Sequence, residues 1–171
     1  ELEGICGKLP DAPVDLLDAG RAREVLAVLQ AAWPWPRRKP RRNAGTLLHG
    51  DYWPGNVLWR EGRLAAVVDW EDALWGDPLM DLGTTLAYWA EAGDPDALKP
   101  FSLTWMPGNL TRSEVVDYYQ QSGTSVDNIV FYYAFGAFKV GVICQQIYHR
   151  YKQGFTNDPR FASLIHVIKA C

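Results

Sequence analysis

Two short runs of apolar character, Val57–Arg60 and residues 63–68, stand on either side of Glu61-Gly62. A dipeptide of that kind closes a two-residue hairpin, because glycine accepts the left-handed backbone such turns require. No other feature of the 171 residues fixes so much of the chain at once. With the turn at Glu61-Gly62, Arg60 faces Arg63 and Asn56 falls opposite Val67. Asp69 is then the diagonal neighbour of Asn56 on the same face, roughly 7–8 Å away. The other face carries Val57, Trp59, Leu64, Ala66 and Val68, the alternation a half-buried hairpin needs.

The surrounding sequence is mostly helical. Residues 18–32 carry Val25, Leu26 and Leu29 at helical spacing behind a capping Asp18, and Trp33-Pro34-Trp35-Pro36 stops that helix. Thr46-Leu47-Leu48 is a plausible strand, and the return strand of the hairpin is expected to end at Asp69. Asp77-Pro78 reads as a cap followed by proline at the first helical position, opening a helix that runs to Ala90. Lys99 to Asn109 holds two prolines and reads as loop. Thr111 and Glu114 have capping-box spacing for the next helix. The longest helix is expected over residues 128–152, with Phe131, Phe135, Phe138 and Val142 as core positions, and a last one after Asp158-Pro159. The fold class is therefore α+β, mostly helical, with a small β-hairpin embedded in one domain.

The polar residues at the ends of the hairpin carry the chemistry. Asn56 and Asp69 bring an amide and a carboxylate oxygen to one face, where a single cation could sit between them. Hard oxygen donors of this kind suit Mg²⁺, which keeps several waters and leans on substrate phosphates for further ligands. Asp51 stands five residues before Asn56 in a loop with Gly50, Pro54 and Gly55, residues that bend the chain and turn side chains toward one point. From there Asp51 could accept the proton of a hydroxyl. Trp53, Trp70 and Trp75 lie close by and either line an acceptor pocket or pack the hairpin against the helices.

His49-Gly50-Asp51 with Asn56, followed by Asp69-Trp70-Glu71, resembles the HGDxxxxN and D-x-[DE] motifs of the aminoglycoside phosphotransferase and choline kinase-like superfamily. These motifs are variants of the protein-kinase catalytic loop and metal-binding aspartate. Gly76-Asp77-Pro78 through Asp81-Leu82 matches the family's next element, so the resemblance is specific over residues 46–83. The final helices resemble the branch of kinase-like domains associated with acyl-CoA dehydrogenases. The resemblance implies the C-terminal lobe of a protein-kinase-like fold and a set of roles. Asp51 is the catalytic base or hydroxyl-orienting group, and His49 shapes the catalytic loop. Asn56 and Asp69 bind Mg²⁺ and, through it, the nucleotide. Asp81 is a buried buttress. The implied reaction is transfer of the γ-phosphoryl group of ATP to a small-molecule hydroxyl acceptor. Aminoglycosides, choline-like alcohols, sugars and homoserine-like amino acids all remain open as that acceptor.

Composition limits the remaining classes. The formal net charge of -3 argues against nucleic acid as the default partner. The basic run over residues 37–42 reads as a solvated linker, with a phosphate or RNA contact as the alternative. No unbroken apolar run approaches the ~18 residues of a membrane helix, and no signal peptide is visible. Cys6, Cys144 and Cys171 are scattered, which points to a reducing, cytoplasmic compartment. No glycine-rich nucleotide loop and no lysine-bearing strand precede His49. The chain is thus expected to be one lobe, residues 1–171, with the N-terminal nucleotide-binding lobe absent and no ATP turnover of its own. The alternative is a kinase-like binding or regulatory module without turnover. A metal-dependent hydrolase fits less well, because the histidines at 49, 149 and 166 are dispersed.

Overall fold

The computed structural model of the chain describes residues 46–171 and, before them, residues 23, 24, 27, 28 and 31. Those five are helical, within the helix expected over 18–32. The rest of that helix, its Trp-Pro stop, the basic run 37–42 and Cys6 lie outside the described residues. The chain divides into two compact units, one of residues 34–136 and one of residues 1–33 with 137–171.

In the first unit two hairpins are nested. Strand β1 (Thr46–Leu48) pairs antiparallel with β4 (Leu74–Gly76), and between them β2 (Val57–Arg60) pairs antiparallel with β3 (Arg63–Val67). The connection 49–56 and the connection 68–73 must therefore face each other. Strand β4 was not expected; three residues give too little pattern to register as a strand.

The inner hairpin turns at Glu61-Gly62 as anticipated, with φ of 52° and 75°, and Arg60 pairs with Arg63. Its register differs beyond that point. A bulge at Leu58/Trp59 leaves Ala65 without a partner, so Val57 rather than Asn56 pairs with Val67. Such an extra residue increases strand twist and re-aims the residues beyond it. The expected apolar face is also not buried: Trp59 is 68% and Leu64 56% exposed. The strand ends at Val67, and Asp69 lies beyond it in left-handed backbone.

Helix α1 (Leu79–Tyr88) is shorter at both ends than expected. Asp77 Oδ1 still accepts the Leu79 N–H at 3.1 Å, so the cap is real. Leu79, Leu82 and Leu86 form one stripe and bury against Tyr132. The backbones come very close there. A Cβ on Gly83 would lie 2.2 Å from Tyr132 O, and one on Gly136 would lie 2.2 Å from Gly83 O. Tyr132 also donates its hydroxyl to Asp77 Oδ2 at 2.8 Å, which ties the start of α1 to the long helix. Residues 99–109 are loop apart from a single 3-10 turn, as expected. Helix α2 (Arg112–Gln121) opens on the expected Thr111/Glu114 capping box.

The long helix α3 (Ile129–Lys152) begins in the first unit and continues into the second. It is long and apolar enough to cross a membrane by length and composition, but half of that stretch is buried inside the protein. Tyr132, Phe135, Phe138, Val140 and Val142 are all core. In the second unit Asp158 accepts the Arg160 N–H and starts a 3-10 turn that leads into α4 (Leu164–Ala170).

Candidate active site

The facing connections place the motif residues. His49 and Gly50 donate their backbone N–H groups to the two carboxylate oxygens of Asp81 on α1, at 2.6 and 2.9 Å. Asp81 is thus the expected buttress, although it is half-buried rather than buried. Thr85, one helical turn further on the same face, has its hydroxyl 2.7 Å from Tyr52 O and 2.9 Å from Asp81 O. Sequence reasoning missed this second fastening, and the i, i+4 spacing from Asp81 was the available signal.

His49 is buried and fully occupied. The Asp51 N–H donates to Nδ1 at 3.3 Å, which puts the ring proton on Nε2, 2.8 Å from Val68 O. Trp70 lies against the ring with centroids 4.6 Å apart, and its own N–H donates to Val67 O at 2.8 Å. The imidazole therefore joins the Asp51 loop to the Asp69 connection, a shaping role. Gly50 is required for the same closeness: at φ 84°, a Cβ there would meet Asp72 O at 2.2 Å.

Asp51 and Asn56 are brought together directly. Asn56 Nδ2 donates to Asp51 O at 2.9 Å and faces Asp51 Oδ2 at 3.4 Å. With its nitrogen turned to Asp51, the buried Asn56 side chain points its oxygen elsewhere. The Asn56 carbonyl accepts the Val68 N–H at 3.0 Å, so Asp69 comes directly after the residue that pairs with Asn56. Asp69 is exposed, with φ 67°. Among the described residues its carboxylate joins no hydrogen bond or ion pair, including none with Asn56. A non-glycine residue in that backbone region is uncommon, and Asp is among those that tolerate it best.

No group of three His, Cys, Asp or Glu gathers to hold a metal among the described residues. An amide oxygen and an unpaired carboxylate are instead the sparse, hard donor set that Mg²⁺ accepts when phosphate and water complete its shell. The residues present fit that ion.

Two cavities share a wall formed by Tyr52, Thr85 and Trp89. One, about 450 Å³, lies beside the loop and is lined further by Trp53, Trp59, Leu103, Thr104 and Asn109. The other, about 430 Å³, is bordered by His49, Trp70, Asp81 and Tyr119. Burial, and then the Asp81 and Asp77 carboxylates, push the Tyr119 hydroxyl pKa up, so it remains neutral. Trp53 lines the first cavity and stacks on Tyr88 at 4.9 Å. Trp70 lines the second, and Trp75, 71% exposed, lines neither.

The loop 91–112 that borders the first cavity is held by Arg112. Its guanidinium pairs with Glu91 and Asp94, and its backbone N–H donates to Glu91 Oε1 at 2.6 Å. Burial alone would raise the Asp94 pKa, but hydrogen bonds from the Arg112 side chain and the Glu91 backbone hold it below the ordinary carboxylate value.

Residues 7–112 match the phosphotransferase enzyme family, abbreviated APH. Acyl-CoA dehydrogenase family member 10 of Mus musculus is 32% identical over 123 residues, which are 67% of this chain and 11% of that protein. Acyl-CoA dehydrogenase family member 11 of Gallus gallus is 27% identical over 146 residues, 80% of this chain and 19% of that protein. A solved structure from Ralstonia eutropha, of a protein provisionally called an aminoglycoside phosphotransferase, has the same fold. It matches with a TM-score of 0.61 at 24% identity, over 86% of this chain and 44% of that one. The chain thus spans less than half the length of each of these proteins.

Proposed function

This chain belongs to the phosphotransferase enzyme family, and from that premise we propose that it supplies the catalytic part of an ATP-dependent kinase acting on a small-molecule hydroxyl. The observation that carries the reading is the fastened loop. Asp51 is gripped by Asn56, and its neighbours are pinned by Asp81, His49 and Thr85, so its carboxylate is set in place before any acceptor arrives. In this reading Asp51 orients the acceptor hydroxyl and takes its proton as the new phosphoester bond forms. Asn56 does two things: its nitrogen fixes Asp51 and its oxygen, with the Asp69 carboxylate, offers a site for Mg²⁺. When bound, that ion supplies neutralisation of the charge on the nucleotide phosphates. Positioning and electrostatics, rather than covalent chemistry, supply most of the acceleration in such a reaction.

The lysine and the covering loop that grip phosphates are assigned to a further lobe of the intact protein. The chain's 44% share of its structural neighbour supports this division. The free thiols of Cys144 and Cys171 suit a reducing, cytoplasmic setting. Burial pushes the Cys144 thiol up to about 12.

The test is Asp51→Asn in the intact protein. Phosphoryl transfer from ATP should fall in kcat by on the order of 10²–10⁴. Mg·ATP binding, measured by calorimetry, should change little, because the substituted group faces the acceptor. A variant that keeps full turnover removes Asp51 from this role.

A further inference from the structure

The cavity beside the catalytic loop bears on the chemistry of the acceptor, given the phosphotransferase reading above. Tyr52, Trp53 and Pro54, the three residues that follow the proposed catalytic Asp51, form part of its wall. Its volume of about 450 Å³ is that of a small-molecule site. The walls are aromatic, with Tyr52, Trp53, Trp59 and Trp89, and the polar groups are few.

Those polar groups are neutral and largely spent. The Thr104 hydroxyl is bonded to Ala90 O at 2.9 Å and paired with Ser102. Both protons of the Asn109 amide go to Leu103 O and Met106 O, at 3.0 and 3.1 Å, which leaves its oxygen as an acceptor. No Asp or Glu lines the cavity among the described residues. Of the acidic residues of the adjoining loop, Glu91 and Asp94 are taken by Arg112 and Asp96 by Lys99. A polycationic acceptor would set its ammonium groups against these apolar walls with no lining carboxylate to pair them, and a charge that loses water without gaining a partner is disfavoured.

We infer that the acceptor is an uncharged alcohol with an apolar or aromatic body, which stacks among Trp53, Trp59 and Trp89 while its hydroxyl reaches Asp51. Trp59 and Leu103 set this preference. Both are largely exposed, at 68% and 70%, so they can be changed with little effect on folding.

The experiment measures binding and transfer in the intact protein with three probes: 4-phenylbutan-1-ol, choline and kanamycin. Calorimetry should give the neutral alcohol an affinity at least tenfold above that of kanamycin, with choline between them through the aromatic faces. Trp59→Ser should weaken the neutral alcohol about fivefold or more. Leu103→Glu, which adds the missing carboxylate at the rim, should narrow the gap between alcohol and kanamycin. Tighter binding of kanamycin, or neutral binding indifferent to Trp59→Ser, overturns the inference. Transfer assays separate it from the reading beneath. Transfer to kanamycin with the alcohol untouched sinks the inference and keeps the kinase. Trp59-dependent alcohol binding with no transfer to any probe sinks the kinase and leaves the ligand class of the cavity standing.

Discussion

The loop that carries Asp51 and the turn that carries Asp69 face each other in one nested pair of hairpins, yet they are built in opposite ways. The first is fastened from several directions: two backbone donors on Asp81, a ring on His49, the Thr85 hydroxyl and the Asn56 amide. The second is tied through Val68 to His49 and Asn56 and through the Trp70 ring to His49 and Val67 O, but Asp69 between them stands exposed in left-handed backbone. Under the proposed function the contrast has a physical sense. A group that must meet a hydroxyl within a few tenths of an ångström gains from being preorganised. A carboxylate that shares an ion with a nucleotide gains from being left unpaired and reachable.

Removing the main fastener should have the largest effect on stability. Asp81→Ala leaves the His49 and Gly50 N–H groups, both on buried residues, without their charged acceptor. Charge-assisted hydrogen bonds contribute about 1.5–3 kcal/mol each, so a loss of about 3–5 kcal/mol is expected. Thermal unfolding should register it as a drop of roughly 8–15 °C. A drop of a degree or two would mean that other contacts hold the loop and that the two segments differ less in their fastening.

Gly50→Ala attacks the same loop without removing a bond. The new methyl must enter a left-handed position, which costs about 1–2 kcal/mol by itself. It must also displace Asp72 O, 2.2 Å from where the Cβ would sit. A total of about 2–3 kcal/mol, measured by chemical denaturation, is expected from strain of this kind. Because the displaced chain is the Asp69 connection, any surviving activity should show a raised KM for Mg·ATP. An unchanged KM would uncouple the two segments.

What could be read from the sequence divides along the same line. The HGD and Asn56 segment and the Asp81 buttress were legible through the family resemblance, since Asp81 meets His49 from 32 residues away. The Thr111 capping box and the long helix were legible because each rests on residue types whose chemistry is local. The hairpin turn was legible for the same reason, since Glu61-Gly62 specifies its own backbone. The register past Leu58 was not, because a bulge changes the count by one residue and leaves no mark in composition. The expected Asn56–Val67 pairing failed on that single residue. The buried face of the hairpin failed for a different reason: alternation fixes which residues share a face and not whether anything covers it. The cavity was half legible. Trp53 stood next to the motif, while Trp59 and Trp89 reach it only through the fold. The pairing of Glu91 and Asp94 with Arg112 carried no sequence signal, since ion pairs 18 or more residues apart obey no local spacing.

Asp69→Gly should have the smallest effect on stability, and its sign should be opposite. Asp69 holds φ 67°, where a side chain is disfavoured and glycine is at ease. Its carboxylate has no partner among the described residues, so removing it forfeits no hydrogen bond. Relief of the backbone strain is worth about 1 kcal/mol, and the greater freedom of glycine in the unfolded chain takes back part of that. The variant should therefore be more stable by about 0.5 kcal/mol, a rise of roughly one or two degrees in Tm. Phosphoryl transfer by the intact protein should nevertheless be lost, and excess Mg²⁺ should not restore it. A residue whose removal stabilises the fold and destroys the activity is one kept for function at the expense of stability. Asp69→Asn is the control: it tolerates the same backbone and keeps one oxygen, so it should leave Tm unchanged and retain a trace of Mg²⁺-dependent activity. If Asp69→Gly instead lowers Tm by several degrees, the carboxylate is part of the structure, and the difference between the two segments is not one between a fixed group and an open one.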